Sequence, residues 1–108
     1  MKILVVDDET LARQRLMSLI EELGAPYELS GEAANGEEAL QHFRQQGADL
    51  VLMDIRMPGM DGLEAARQMS GSERPPAVIF TTAYEEHALE AFETAAQDYL
   101  LKPVRRER

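Results

Sequence analysis

The sequence predicts an α/β domain, an open doubly wound sheet of five parallel strands with helices on both faces. Three observations carry that expectation. Short aliphatic runs alternate with amphipathic stretches along the whole chain, the pattern of strands joined by helical crossovers. The first run, Lys2–Val6, is continuously apolar after its lysine, as strands buried on both faces are. A chain of 108 residues that is 44 % hydrophobic holds one modest core, hence a single domain.

Each element can be justified in turn. After the Lys2–Val6 strand, Ala12, Leu16, Leu19, Ile20 and Leu23 recur at one-face helical spacing within Thr10–Leu23, and Gly24 supplies a stop. Tyr27–Ala33 alternates apolar or small residues with polar ones, as a half-buried or edge strand does. Asn35, with Glu38 three residues on, caps a helix that turns Ala39, Leu40 and Phe43 inward and stops near Gly47. Asp49–Met53 is a third strand and leads into Asp54. Beyond a loop with Pro58, Gly59 and Gly62, a short helix covers Leu63–Met69, and Ser70–Pro76 is a linker turn. Strand four is Ala77–Thr81. Helix four is Glu85–Ala96, with Ala88, Leu89, Phe92 and Ala95 or Ala96 inward. Strand five is Asp98–Lys102. Only Val104–Arg108 follow Pro103, so the final helix is expected to be truncated and the chain to be a fragment of a longer protein.

Composition excludes several classes. With no cysteine there is neither a disulfide framework nor a thiolate metal site. No apolar run approaches the ~18 residues of a membrane span and no signal peptide is present, so a soluble cytoplasmic protein is expected. Twenty acidic against eleven basic residues give a net charge of −9, which argues against this chain itself gripping a nucleic-acid backbone.

Parallel strands all end on one edge, and open α/β sheets bind ligands outside those carboxyl ends. Asp7 and Asp8 follow strand one, Asp54 follows strand three, Thr81 and Thr82 end strand four, and Lys102 ends strand five. Three carboxylates, a hydroxyl and an ammonium therefore converge. Carboxylate oxygens suit Mg²⁺, which also tolerates phosphoryl oxygens, and a carboxylate can accept a phosphoryl group as an aspartyl phosphate. Asp54, at the tip of the central strand, is the expected acceptor. Its carboxylate is expected to stand clear of the core, with Pro58 and Gly59 turning the chain away.

The segments VVDDE, LMDIRMPGMDG, FTTA and YLLKP, in this order and spacing, resemble the receiver domain of bacterial two-component response regulators. TAYEEHALEAFETAAQDYLLKPV further resembles the LytTR-class regulators, whose receivers precede a DNA-binding domain. The resemblance implies a flavodoxin- or CheY-like sheet of order 2-1-3-4-5. It implies Asp54 as phosphoacceptor, and Mg²⁺ held by Asp7, Asp8, Asp54 and the backbone carbonyl of Arg56. Thr82 and Lys102 would contact the phosphoryl group, Thr82 and Tyr99 would form the switch, and Arg56 and Tyr84 would tune its lifetime. The implied partners are a sensor histidine kinase as donor, a second copy through the face of helix four and strand five, and DNA only through an output domain outside this sequence.

Other readings weigh less. Asp7 and Asp8 could simply cap the first helix. His42 and His87 read as solvated helix residues, and Met57 and Met60 as loop packing. A haloacid-dehalogenase-like phosphatase would show D-x-D at its nucleophile, where this chain has Asp54-Ile55-Arg56. Calcium-loop and dinucleotide-binding readings lack their ligand and glycine patterns. A stand-alone receiver, or a degenerate one serving only as an interaction module, remains the alternative of a different class.

Overall fold

Strand β1 (Lys2–Val6) serves two cores at once. Ile3 and Val5 pack with Leu16 and Ile20 on one face of the sheet, while Leu4 and Val6 join Leu40, Phe43, Leu63 and Met69 on the other. That division follows from the two-residue period of a strand and explains the unbroken apolar run. The computed structural model describes residues 1–82 and 98–101, with Thr82 and Asp98–Leu101 described by backbone alone.

The remaining elements are α1 (Thr10–Leu23), β2 (Glu28–Ala33), α2 (Gly36–Gln46), β3 (Leu50–Asp54), α3 (Gly62–Ser70), β4 (Ala77–Thr82) and β5 (Asp98–Leu101). All neighbouring strands pair parallel, in the order β2-β1-β3-β4-β5. This is the expected doubly wound sheet. Helix α1 covers one face, and α2 and α3 the other. The expected helix four (Glu85–Ala96) and Lys102 lie outside the described residues, as do residues 103–108, where a truncated last helix is expected.

Some expectations need correction. Leu23, assigned to the inner face of α1, is 63 % exposed. The helix outruns the sheet: 14 residues at ~1.5 Å each reach about 21 Å, whereas a five-residue strand spans about 17 Å. Tyr27 lies outside β2, its N–H donating to the Gly24 carbonyl in a turn. Helix α3 starts one residue earlier than expected, because Asp61 caps it by accepting from the Glu64 N–H at 2.9 Å.

The edge character of β2 is borne out, with only Ala33 buried. Its register with β1 shifts between Ile3 and Leu4, a bulge of the kind that blunts exposed edges. There Ser30 Oγ lies 3.0 Å from His42 Nε2. His42 is thus half-buried against β2 rather than solvated. A side chain at Gly31 would occupy the place of the ring. His87 lies outside the described residues.

Candidate functional site

The carboxyl ends of β1 and β3 lie side by side, since Val6 pairs with Met53. Asp7 follows Val6 and Asp54 follows Met53, so both acids leave the sheet at one level. Asp7 is fully buried and Asp54 is 7 % exposed, whereas Asp8 is exposed. Carboxylate oxygens of all three lie within 4.8 Å of one another. Three negative charges at that spacing repel strongly where water is partly excluded. A hard divalent cation that accepts oxygen ligands relieves the repulsion, so this donor set fits Mg²⁺.

Each acid is held by the surrounding backbone. The Asp7 N–H donates to the Ala33 carbonyl at 3.1 Å, and Asp7 Oδ1 accepts from the Glu9 N–H at 2.9 Å. Glu9, rather than Asp7 or Asp8, is the N-cap residue of α1, and it makes no side-chain cap bond. The capping reading of the two acids therefore does not account for them.

Asp54 differs from the expectation that its carboxylate stands clear of the core. The chain folds back over it. The Gly62 N–H donates to the Ile55 carbonyl at 2.8 Å, and a Cβ on Gly62 would overlap the Asp54 carbonyl oxygen. Ile55 and Met57 turn into the core at 2 % and 8 % exposure, which draws the β3–α3 loop tight. Met57 and Met60 are loop packing, as expected, Met60 being partly buried against the same cluster.

Arg56, two residues past Asp54, lines an open recess of about 450 Å³ together with Asp8, Met57, Pro58, Gly59 and Asp61. Of the three clustered acids, Asp8 lines that recess. A larger cleft of about 730 Å³ lies at the opposite edge, lined by residues such as Met1, Lys2, Arg44, Asp49 and Arg74. There the charges are mixed and partly used in structure, as where the Lys2 N–H donates to Asp49 Oδ2 at 2.7 Å. No set of like donors converges among these residues, so the smaller recess is the better candidate.

On the β4 side, Asp54 is in register with Thr81, and Thr82 ends that strand opposite Leu101 of β5. Tyr99 pairs with Phe80 through the backbone. The structure therefore gathers Asp7, Asp8, Asp54 and Arg56 in side-chain detail and sets the backbones of Thr82 and Tyr99 on the adjoining strands. Lys102 and Tyr84 lie outside the described residues. Sequence reasoning did not find Arg13, whose guanidinium bonds the Asp7 carbonyl and the Glu32 carboxylate. It left one signal, a base near the start of a helix that has no acid in its first turn.

Comparison with known proteins agrees with this arrangement. The response regulator receiver domain family matches residues 3–108. The chain is 53 % identical over 107 residues, 99 % of its length, to the positive alginate biosynthesis regulatory protein of Pseudomonas aeruginosa, of which it covers 43 %. It is 44 % identical over its full length to the sensory transduction protein LytT of Bacillus cereus, covering 44 % of that protein. The chain thus spans less than half the length of these relatives. Among solved structures, the response regulatory domain of mrkE from Klebsiella pneumoniae superposes with a TM-score of 0.90 at 38 % identity, covering all of this chain and 88 % of that one. The CheX–CheY–BeF3–Mg²⁺ complex from Borrelia burgdorferi superposes at 0.88 and 26 % identity, covering 98 % and 81 %. A family match along nearly the whole chain and superposition on solved receiver domains lead to one assignment: the chain belongs to the response regulator receiver domain family.

Proposed function

We propose that residues 1–108 form the phosphoacceptor unit of a longer response regulator, with Asp54 as the phosphorylated residue and a sensor histidine kinase as donor. One observation carries the reading: oxygens of Asp7, Asp8 and Asp54 meet within 4.8 Å at the carboxyl edge of a parallel sheet. The Borrelia relative was solved with Mg²⁺ and BeF3, which supports the same ligand class here.

In the transfer, an Asp54 carboxylate oxygen attacks phosphorus and an O–P bond forms. The P–N bond to the donor imidazole breaks, and the imidazole nitrogen keeps the electron pair and takes up a proton. Phosphoryl transfer is mostly positioning plus electrostatic stabilisation. The backbone around Asp54, pinned by the Gly62–Ile55 bond, supplies the positioning. Asp7, Asp8, Asp54 and the Arg56 carbonyl would hold Mg²⁺, whose charge stabilises the phosphoryl oxygens when it is bound. Thr82 donates a hydrogen bond to one of those oxygens and Lys102 brings a second positive charge. Thr82, drawn toward the phosphoryl group, leaves room into which Tyr99 turns, and the surface of β5 shifts with it. A local charge event thereby biases a two-state element. Arg56 and Tyr84 tune the lifetime of the phosphoryl group through the access of attacking water. The output is DNA binding by a separate domain, with pairing of two copies through the β5 face, in the cytoplasm. The chain is a stoichiometric acceptor on this reading, not a turnover enzyme.

The experiment is incubation with Mg²⁺ and a small phosphodonor, followed by intact mass. Wild type gains one phosphoryl group and Asp54→Ala gains none, as does wild type in chelator. An adduct that persists in Asp54→Ala overturns the assignment.

A further inference from the structure

Arg13 stands where a helix gains nothing from a cation. Helices α2 and α3 each carry a capping side chain, at least one acid in the first turn and a base in the last. Helix α1 has no side-chain cap bond, no acid in its first turn and no base in its last. Its Arg13 lies four residues into the helix, close enough to the N-terminus for its charge to oppose the macrodipole. The side chain is only 15 % exposed, so desolvation adds a further cost.

Three contacts offset those costs. Nη1 donates to the Asp7 carbonyl oxygen at 2.7 Å, Nε to Glu32 Oε1 at 2.8 Å and Nη2 to Thr10 Oγ1 at 3.4 Å. One planar fork thus joins the end of β1, the end of β2 and the start of α1. A lysine ammonium cannot reproduce it, since its donors diverge from a single nitrogen. The Asp7 carbonyl belongs to the peptide plane that joins Asp7 to Asp8, and a peptide turns as one rigid unit. The plane on the other side of Asp7 is already held by its N–H bond to Ala33.

We propose that Arg13, anchored by Glu32, is a positioning residue for the Mg²⁺-binding acids: it fixes the Asp7–Asp8 peptide and so sets the direction in which both carboxylates leave the chain. This rests on the metal reading above. Supporting groups one step removed from a metal ligand change affinity by ~10–100-fold when lost.

Charge and position predict opposite signs, which makes the test decisive. Removing a cation near three carboxylates would, by charge alone, tighten binding of Mg²⁺. Loss of positioning weakens it. Calorimetric titration of the full chain with Mg²⁺, alongside thermal melts, is expected to show Kd raised about tenfold in Arg13→Ala. Arg13→Lys, which keeps the charge and protects against a variant that fails to fold, is expected to bind several-fold more weakly than wild type. Binding by Arg13→Lys as tight as wild type overturns the proposal. So does a folded Arg13→Ala that binds as tightly or more tightly, including one that only melts earlier. Wild type that takes up no Mg²⁺ overturns the metal reading itself, and this inference with it.

Discussion

Thr81 buries a hydroxyl whose oxygen has no hydrogen-bond partner among the described residues, beside Asp54 in the strand register. An unmet buried polar group costs ~1–3 kcal/mol. Thr81→Val replaces the hydroxyl with a methyl of similar shape, and β4 favours β-branched residues. The variant is expected to gain about 1 kcal/mol of stability in denaturant titration, and a loss of that size would show that the hydroxyl is satisfied. Legibility at this scale was uneven. Asp7, Asp8 and Asp54 were readable because apolar runs end on them, and strand ends of a parallel sheet share an edge. The enclosure of Asp54 was not, because it depends on Gly62 folding back onto the Asp54 carbonyl, a contact between residues eight apart with no periodic signature. Arg13 was hidden for a related reason: its partners Asp7 and Glu32 come together only once β1 and β2 have paired.

Elements governed by local rules are legible in the sequence. Helix α2 begins on Asn35, whose Oδ1 accepts from the Glu38 N–H at 2.8 Å, while Glu38 Oε1 accepts from the Ala34 N–H at 3.1 Å. The first bond is what N-cap and N3 residues of these types predict; the second falls one residue ahead of the N-cap's own N–H. The helix meets the β3–α3 loop at its first turn, where the Gly36 N–H donates to the Met60 carbonyl at 3.3 Å. A Cβ on Gly36 would press on that carbonyl oxygen. Asn35→Ala removes the cap acceptor and is expected to cost about 1 kcal/mol, or a Tm lower by roughly 4–8 °C in a small domain. An unchanged melt would mean that the Met60 carbonyl and water suffice for the helix start. Boundaries were harder to read where tertiary geometry decides them. Leu23 obeys the helical period yet is exposed, because periodicity describes a face and says nothing of how far the sheet beneath extends.

The whole molecule carries twenty acids against eleven bases, and its topology brings three of the acids to one point. Strand order explains how: β1 and β3 are neighbours at the place where the winding reverses, so their ends face the same crevice. A cluster that repels itself destabilises the metal-free fold, and occupancy by a cation reverses the sign. Asp8 is the member suited to a test, since it is exposed while Asp7 is built into the backbone bonds of its loop. In chelator, with ionic strength fixed by monovalent salt to hold general screening constant, Asp8→Asn is expected to melt above wild type. With Mg²⁺ at a hundred times its Kd, wild type gains about 2.7 kcal/mol by mass action, the variant gains less, and the order of the two melts inverts. A variant less stable than wild type under both conditions would assign Asp8 a structural role. Parallel rises in Tm for both would place the cation elsewhere. The crossing of the two melts is the signature of a fold that accepts repulsion at one edge because a ligand relieves it there.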